Sequence, residues 1–543
     1  NAAIIAAAAI NVPITPLELN SLRFTIGPLI YGGSESNLVH TSFAVMWGSF
    51  KHWCRKDPLR ALTVIAFVPR LIAAFFSEGY FAHDDHFLVI EAAGSWVDGA
   101  DYNNWLPWNQ GDSPRPSGHS FFFVGLHYLF FYILKTIGVS DPKSMMIAVR
   151  ILVVVRVGYR IALRLSNAEI AWRTGLFLAL FYFMPFLAVR NLVEVACIPF
   201  LMLGAYHLVR NKNEIGLKDA LIAGIWIGLA INVRFQTLFF AIGPGLAFLL
   251  QKKWKHTIYY GIGILGPIVA LQGMIDIILW GIPFAEITEY VLYNLYNTTT
   301  YGVLPWYNYL LLLAGIYLPF LGLAVLFGFV RRTAPLLLWL PMLLFIAIHS
   351  YFPNKQERFL LPIIPLFFVV GHVSWEQYLA TSKWWQNKAG LWRGHVLWIH
   401  SLNFVILVVL CFTYSKRSRV EALYSLRDHR PLKGIVIEDT YGKEAPMPPL
   451  FYLGQWDTNV LPWTDPTADL AVVLDDYPLN EKPEIILFFG EEDINNRIAR
   501  VTEAMGPLHE IGRSEPGLVD RVVHWLNPVN RNETIVTMAT GPQ

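Results

Sequence analysis

Two carboxylates stand side by side at Asp84 and Asp85, between His83 and His86, directly after the first long apolar run of the chain. Adjacent carboxylates raise each other's pKa by repulsion, which suits a base working near neutrality. Transfer of a group to a hydroxyl needs such a base, or at least a carboxylate that orients the acceptor proton. A solvated acidic loop is the competing reading, and the position at the mouth of an apolar segment argues against it.

A second polar cluster comprises His349, Lys355, Glu357 and Arg358, followed by Phe359, Pro362 and Pro365. Lys355 and Arg358 could neutralise a lipid-linked phosphate as it leaves, the guanidinium through its planar fork. Snorkelling at the interface would explain a lone lysine equally well. Arg190, Asn191 and Glu194 form a third group, with Arg234 and Gln236 further on. Ionisable side chains at membrane depth are functional candidates by default, although Arg190 and Glu194, four apart, could form a structural ion pair. A fourth group is aromatic: Asp276 to Trp280, then Tyr290 to Tyr309, which contains Asn294, Tyr301, Gly302, Pro305, Trp306 and Tyr307. Aromatic faces and amides serve sugar recognition, and they serve an interfacial belt as well.

The elements that must hold these residues are membrane helices. Of 543 residues 55% are hydrophobic and only 15% charged, against about 25% in soluble domains, so a polytopic membrane protein is expected. The net charge of +2 comes with no basic tract, which excludes nucleic acid as a partner class. Cys54, Cys197 and Cys411 are far apart and give neither metal-ligand spacing nor a disulfide framework. Asn1 stands first, and the apolar run 2–10 is too short to span a bilayer and lacks the basic flank of a signal peptide.

Charge asymmetry sets an expected topology. Residues 1–58 end in Lys51, His52, Arg55 and Lys56, with Arg60 just beyond, which the positive-inside rule assigns to the cytoplasm. The first span, 61–76, is interrupted by Pro69 and Arg70. The loop 77–118 carries Glu78, Asp84, Asp85, Glu91, Asp98, Asp101 and Asp112 against Arg115 alone, which places it on the outer or lumenal side. Further apolar runs to residue 413 give roughly 11 to 13 spans at about 20 residues each, with 119–163 breaking the alternation. Membrane domain 59–415 then gives way to 416–543, charged and proline-rich. Strands are expected there at Gly434–Glu438, 470–474, 484–489 and 522–526, and a helix at 497–506. That alternation reads as a small α/β domain on the outer face. No glycine-rich phosphate loop follows a strand. Asn297 and Asn532 head glycosylation sequons.

Taken in order, the acidic pair, the Arg190–Glu194 group, the Arg234-Phe235-Gln236 span end, the aromatic loop and the late Lys355-Gln356-Glu357-Arg358-Phe359 resemble the GT-C glycosyltransferases. The likeness is to the polyprenyl- or dolichyl-phosphate-mannose-dependent mannosyltransferases, glycosyltransferase family 22. In that family the first loop reads His-Pro-Asp-Glu-x-Phe-Gln, matched here by Ala82-His83-Asp84-Asp85-His86-Phe87-Leu88. The late motif His-Lys-Glu-x-Arg-Phe is matched loosely by residues 354–359. The chain departs from the first motif at 82, 83, 85 and 88.

The resemblance implies a polyprenyl-phosphate sugar donor entering from the bilayer, inversion at the anomeric carbon, and Asp84 as the base, with Asp85 beside it. Lys355, Arg358 and Arg234 would hold the donor phosphate. His83, Arg190, Glu194, Gln236, Tyr301, Trp306 and Glu357 would contact substrate. It further implies an integral protein of the bacterial inner membrane or endoplasmic reticulum, its site facing periplasm or lumen. The acceptor would be a lipid-linked glycan, glycolipid or protein. Metal dependence varies among GT-C enzymes, so a divalent ion stays open while no metal set is evident. The terminal domain is a candidate surface for partners in a membrane complex. Two other readings remain: a non-catalytic GT-C-like subunit of a larger assembly, and a lipid or glycan transporter. A transporter would need polar residues at mid-span and internal symmetry, whereas the polar groups gather at span ends and no repeat is present.

Overall fold

The computed structural model describes residues 48–543 apart from 150–154, 212–213, 301, 443–444, 476, 479–481 and 542–543. The expected segment 1–58 therefore lies almost wholly outside the described residues, as do Tyr301 and part of the run 119–163.

Four helices are long and apolar enough to cross a membrane: Pro58–Phe76, Trp254–Trp280, Glu357–Thr381 and Ala389–Cys411. Shorter apolar helices such as Phe121–Thr136, Phe235–Leu250 and Leu336–Tyr351 fill in between them. The first begins where Pro58 occupies the opening turn and the Asp57 carboxylate accepts from the Arg60 N–H at 3.1 Å, the usual way to satisfy an orphan donor. The Glu357–Thr381 segment is buried on nearly every side, so it is the axis on which the others pack. Helices Leu217–Val233 and Trp254–Pro267 approach backbone to backbone. A Cβ at Gly224 would sit 2.3 Å from the Tyr260 carbonyl oxygen, the close contact that small residues permit between membrane helices.

After Ser77 the chain turns sharply. Gly79 has φ +77° and bridges to Ser415, whose N–H donates to the Glu78 carbonyl at 3.0 Å. A side chain there would fail twice, through the left-handed backbone and through a Cβ 1.8 Å from the Ser415 oxygen. Residues His83–Asp85 then form one helical turn that runs into a π-helix, His86–Glu91. In a π-turn residues five apart share a face, and His86 Nε2 meets Glu91 Oε1 at 3.2 Å with both side chains buried.

The C-terminal domain contains a five-stranded sheet in the order β2-β1-β3-β5-β4. Strands β1 (Gly434–Glu438), β2 (Asn459–Trp463) and β3 (Ile485–Phe489) are parallel, while β4 (Leu508–Ser514) and β5 (Ile535–Thr540) run antiparallel to their neighbours. The expected strand at Gly434–Glu438 is present, that at 484–489 is Ile485–Phe489, and the helix is Ile494–Met505. The expected strands at 470–474 and 522–526 are helices instead, Leu470–Asp475 and Leu518–Leu526. Parallel strands need a crossover, and in the first of these Leu470 and Leu474, one turn apart, are the buried positions. Topology here overrides the strand preference of Val472 and Val473.

The domain is docked onto the membrane-embedded part rather than tethered to it. Glu91 Oε1 accepts from the Phe451 N–H at 3.1 Å, and Trp456 Nε1 donates to Asp98 at 2.8 Å. The His86 ring lies between Tyr80 and Tyr452, stacked at 4.3 and 5.6 Å. One apolar core runs from the helices through Phe131, Phe451 and Leu453 to Ile437 and Leu487 of the sheet. The sequence boundary at 415 falls inside that core.

Candidate active site

Three carboxylates and two guanidiniums meet where the first loop, the Val193–Ala196 turn, the end of the Leu217–Val233 helix and the late polar motif converge. Arg358 is the hub. Its Nη1 donates to Asp85 Oδ2 at 2.9 Å, its Nη2 to Asp84 Oδ2, and its Nε to Gln356 Oε1 at 2.6 Å. Glu194 Oε1 lies 4.0 Å from Arg358 Nε and 2.9 Å from Arg234 Nη2. The Arg234 guanidinium rests near the rings of Tyr290 and Phe359, at 6.0 and 5.9 Å, in the range of cation–π attraction.

The two adjacent aspartates are not equivalent. Asp85 is buried, and both its oxygens are taken: Oδ1 accepts from the Val193 N–H at 2.7 Å and Oδ2 from Arg358. Asp84 is half-buried, its side chain 40% exposed, and among the described residues only Oδ2 carries a hydrogen bond. Burial, then the Glu194 carboxylate, push Asp85 up to about 7 against the pull of Arg358. Burial also acts to raise Asp84, but there Arg358 outweighs it and holds the carboxyl below its ordinary range. With three carboxylates against two fixed cations, a proton in the buried cluster near neutrality follows from like-charge repulsion.

A small pocket beside Arg234 is lined by His119, which the sequence does not single out, and by Tyr290, the first residue of the aromatic run 290–309, together with Ser120, Val193 and Phe235. Burial, and then Arg234, push His119 down to about 4, so its ring is neutral. The backbone that presents His119 is fixed by a buried network. Phe121 N–H donates to Glu286 Oε2 at 2.9 Å, and Gln272 Nε2 bridges Glu286 and Asp276 at 2.7 and 2.8 Å. A lone histidine before an apolar run carries no sequence signal. The pairing of Gln272 and Asp276 across one helical turn is the only local hint.

Of the other candidates, Gln236 donates to the Phe359 carbonyl at 3.2 Å and so ties its span end to the late motif. Arg190 does not meet Glu194. Its guanidinium binds the Ser77 and Glu78 carbonyls at 2.8 and 2.9 Å, Ser77 Oγ at 2.9 Å, and the Thr413 carbonyl and Ser415 Oγ at 3.1 Å each. That fixes the entrance of the first loop against the end of the last span. Lys355 is buried with its ammonium on the Phe352 carbonyl, and its backbone N–H donates to Gly302 O at 2.8 Å. Gly302, at φ +51°, has no room for a Cβ, which would lie 2.6 Å from the Lys355 carbonyl oxygen. The aromatic loop is thus clasped to the late motif through its backbone. His83 and Glu357 are exposed at the edge, His83 beside Phe87. Trp306 is 66% exposed and packs edge-on against Tyr307, outside the charged centre. Asn532 is buried and accepts from Lys416 at 2.9 Å, so in the folded chain its sequon offers no amide for a glycan.

Beneath the charged centre lies an apolar cleft walled by Phe183, Leu187, Val195, Ile198, Leu361 and Ile364. Val195 follows Glu194 directly, and Leu361 is one turn beyond Arg358. Among the described residues no three His, Cys, Asp or Glu side chains are placed to hold a metal ion. Arg358 is paired with Asp84 and Asp85, and Arg234 with Glu194.

Comparisons with known proteins bear on the family and the fold. Mannosyltransferase APTG1 of Arabidopsis thaliana is 22% identical over 364 residues, a match that covers 63% of this chain and 64% of the plant protein. The chain thus spans less than two thirds of that relative's length. Among solved structures, ArnT from Cupriavidus metallidurans in the apo state superposes with a TM-score of 0.57 at 12% identity, over 90% of this chain and 100% of ArnT. The same protein bound to undecaprenyl phosphate gives 0.55 at 11% identity, over 89% and 98%. The fold is therefore that of the polytopic GT-C enzymes, with a small sheet domain at the C-terminus. Residues 61–432, which include every member of the charged centre, match the Alg9-like mannosyltransferase family, and the chain belongs to that family.

Proposed function

We propose that this protein transfers a mannosyl residue from a polyprenyl-phosphate donor to a hydroxyl of a lipid-linked glycan, glycolipid or protein acceptor, with Asp84 as general base. The observation that carries the reading is the asymmetry of the aspartate pair. Asp84 keeps one carboxylate oxygen without a hydrogen bond and open to solvent, while Asp85 has both engaged. A base must reach the proton it removes. Asp85 is instead a positioning residue that locks Arg358 to the Val193 turn.

In the step we propose, the acceptor oxygen forms a bond to the anomeric carbon as the bond from that carbon to the phosphate oxygen breaks. The acceptor proton passes to Asp84 and the electron pair leaves with the phosphate. Arg358 and Arg234 stand where that charge develops, preorganised by carboxylates that fix their orientation. Lys355 would join them by releasing the Phe352 carbonyl. The apolar cleft below suits an isoprenoid chain, and undecaprenyl phosphate is what the structurally similar ArnT was solved with. Sugar and acceptor would occupy the pocket beside Arg234, against His119 and Tyr290. No cofactor beyond the donor enters this scheme. The loop 77–118 holds no lysine and only Arg115, which supports a site on the lumenal or periplasmic side.

The test is donor choice. Purified protein in lipid, given membrane extract as acceptor source, is incubated with radiolabelled polyprenyl-phosphate-mannose or with GDP-mannose after the extract's own synthase is removed. Transfer from the lipid donor alone supports the reading. Transfer from the nucleotide donor alone, or from neither, overturns it, and the second of these favours a non-catalytic subunit.

A further inference from the structure

The helix Leu518–Leu526 of the C-terminal domain carries an apolar face that none of the described residues covers. Leu518, Val522, Trp525 and Leu526 are 76, 48, 80 and 69% exposed, and Val529 just beyond is 83% exposed. Within the helix the first four recur at steps of four, three and one, which is one stripe of a helix. The opposite face is committed: Asp520 is buried, and its carboxylate accepts from the Lys416 and Arg417 N–H groups, both at 3.0 Å.

Those contacts fix where the stripe lies. The last apolar helix ends at Cys411, and Phe412 meets Phe76, the end of the first span, at 5.2 Å between rings; both are more than half exposed. Gly517, the residue before the amphipathic helix, lies against the Tyr414 carbonyl, so close that a Cβ would be 2.9 Å from it. The far end of the segment returns to the same place. Lys416 Nζ donates to Asn530 O at 3.0 Å and Asn532 Oδ1 at 2.9 Å, and Arg419 donates to the Asn530 and Arg531 carbonyls. A nine-residue helix is about 13 Å long, so a segment pinned at both ends to residues 414–419 cannot rise far from the span ends. The headgroup layer extends about 5–7 Å beyond the hydrocarbon on each side.

We infer that Leu518–Leu526 is an interfacial anchor whose Leu518, Val522, Trp525 and Leu526 face inserts into the headgroup and upper acyl region of the membrane. Amphipathic helices bearing tryptophan lie in that plane, and the helix is tied to residues 414–417, directly after the exposed Phe76–Phe412 pair at the span ends. The occupant is the bilayer, which is always present at that height. The anchor holds the C-terminal domain flat on the membrane, and through Phe451 and Glu91 holds the π-helix behind Asp84.

The full chain, with Cys54 replaced by serine and Trp525→Cys bearing a nitroxide, is reconstituted in phosphatidylcholine nanodiscs. Relaxation by oxygen is compared with that by a water-soluble nickel chelate. Val472→Cys, on a helix of the opposite sheet face and 64% exposed, serves as the aqueous control. The inference predicts a label at 525 that oxygen relaxes several-fold more effectively than nickel, with the reverse at 472. A label at 525 as open to nickel as that at 472 overturns it, and so does a label shielded from both, which would mean that protein covers the helix. In a second arm, Leu518→Glu with Leu526→Glu leaves the buried face intact and moves a reporter at Val529→Cys from oxygen-accessible to nickel-accessible. An unchanged reporter contradicts the anchor.

Discussion

Replacing Arg358 by alanine separates charge pairing from packing in the site, because the penalty depends on pH in a way the geometry dictates. Arg358 supplies the cation to Asp85 at 2.9 Å, and without it Asp85 keeps only the Val193 N–H. Removing one partner from a buried ion pair costs about 3–5 kcal/mol when the other must stay charged. Asp85 has an escape, since it already stands at about 7 and can bind a proton. The sign follows from linkage. Loss of the cation raises the native pKa of Asp85 further, so between the two values the variant binds a proton that wild type has released. In that window the variant loses stability relative to wild type as pH rises, by up to about 1.4 kcal/mol per pH unit. Below pH 6.5 both forms are largely protonated at Asp85 and the difference is flat. From pH 6.5 to 8.5 the gap widens by about 2 kcal/mol. Thermal unfolding in detergent, read across pH for wild type, Arg358→Ala and Arg358→Ala with Asp85→Asn, measures it. The single variant should show a melting-temperature deficit that grows with pH, and the double variant a constant one. A deficit equally large at pH 6.5 and 8.5 in the single variant refutes the assignment of the proton to Asp85.

Glu91→Ala should loosen the C-terminal domain by leaving the buried Phe451 N–H without its acceptor, at a cost of about 1–3 kcal/mol; unfolding temperature and protease sensitivity near residue 450 report it, and an unchanged protein contradicts the docking account. Gly302→Ala forces a side chain into a left-handed backbone against the Lys355 carbonyl, costing about 1–2 kcal/mol, and should lower transfer at least tenfold with expression intact. Transfer should be unaffected by saturating chelator, because the carboxylates are paired with guanidiniums. A loss restored by added divalent ion would contradict that.

The charged centre is legible in the sequence because Asp84, Asp85, Glu194, Arg234 and Arg358 are costly in an apolar context, and cost marks them. What sequence cannot convey is how they divide the work. Arg190 bears the same mark, yet its guanidinium caps backbone carbonyls at the loop entrance, a role that depends on where Ser77 and Thr413 come together in space. His119 carries no mark, since a lone histidine near an apolar run is ordinary; only the Glu286 network brings it beside Arg234. The terminal domain is legible as a class but not in detail. Residues 470–474 and 522–526 have strand-like composition, and the parallel β2–β3 crossover and the contacts of Asp520 with residues 416 and 417 make them helices. The π-turn at His86–Glu91 likewise appears only when Glu91 is seen to serve the backbone of Phe451, some 360 positions away.

The central claim, that Asp84 takes the acceptor proton while Asp85 holds Arg358, is tested most directly by kinetics of Asp84→Asn and Asp85→Asn with polyprenyl-phosphate-mannose as donor. Loss of a general base costs about 10²–10⁴-fold, so Asp84→Asn should lower kcat by that factor with donor KM within a few-fold of wild type. Asp85→Asn should instead raise donor KM, through a misplaced Arg358, and lower kcat less. Transfer by Asp84→Asn at the wild-type rate would contradict the account.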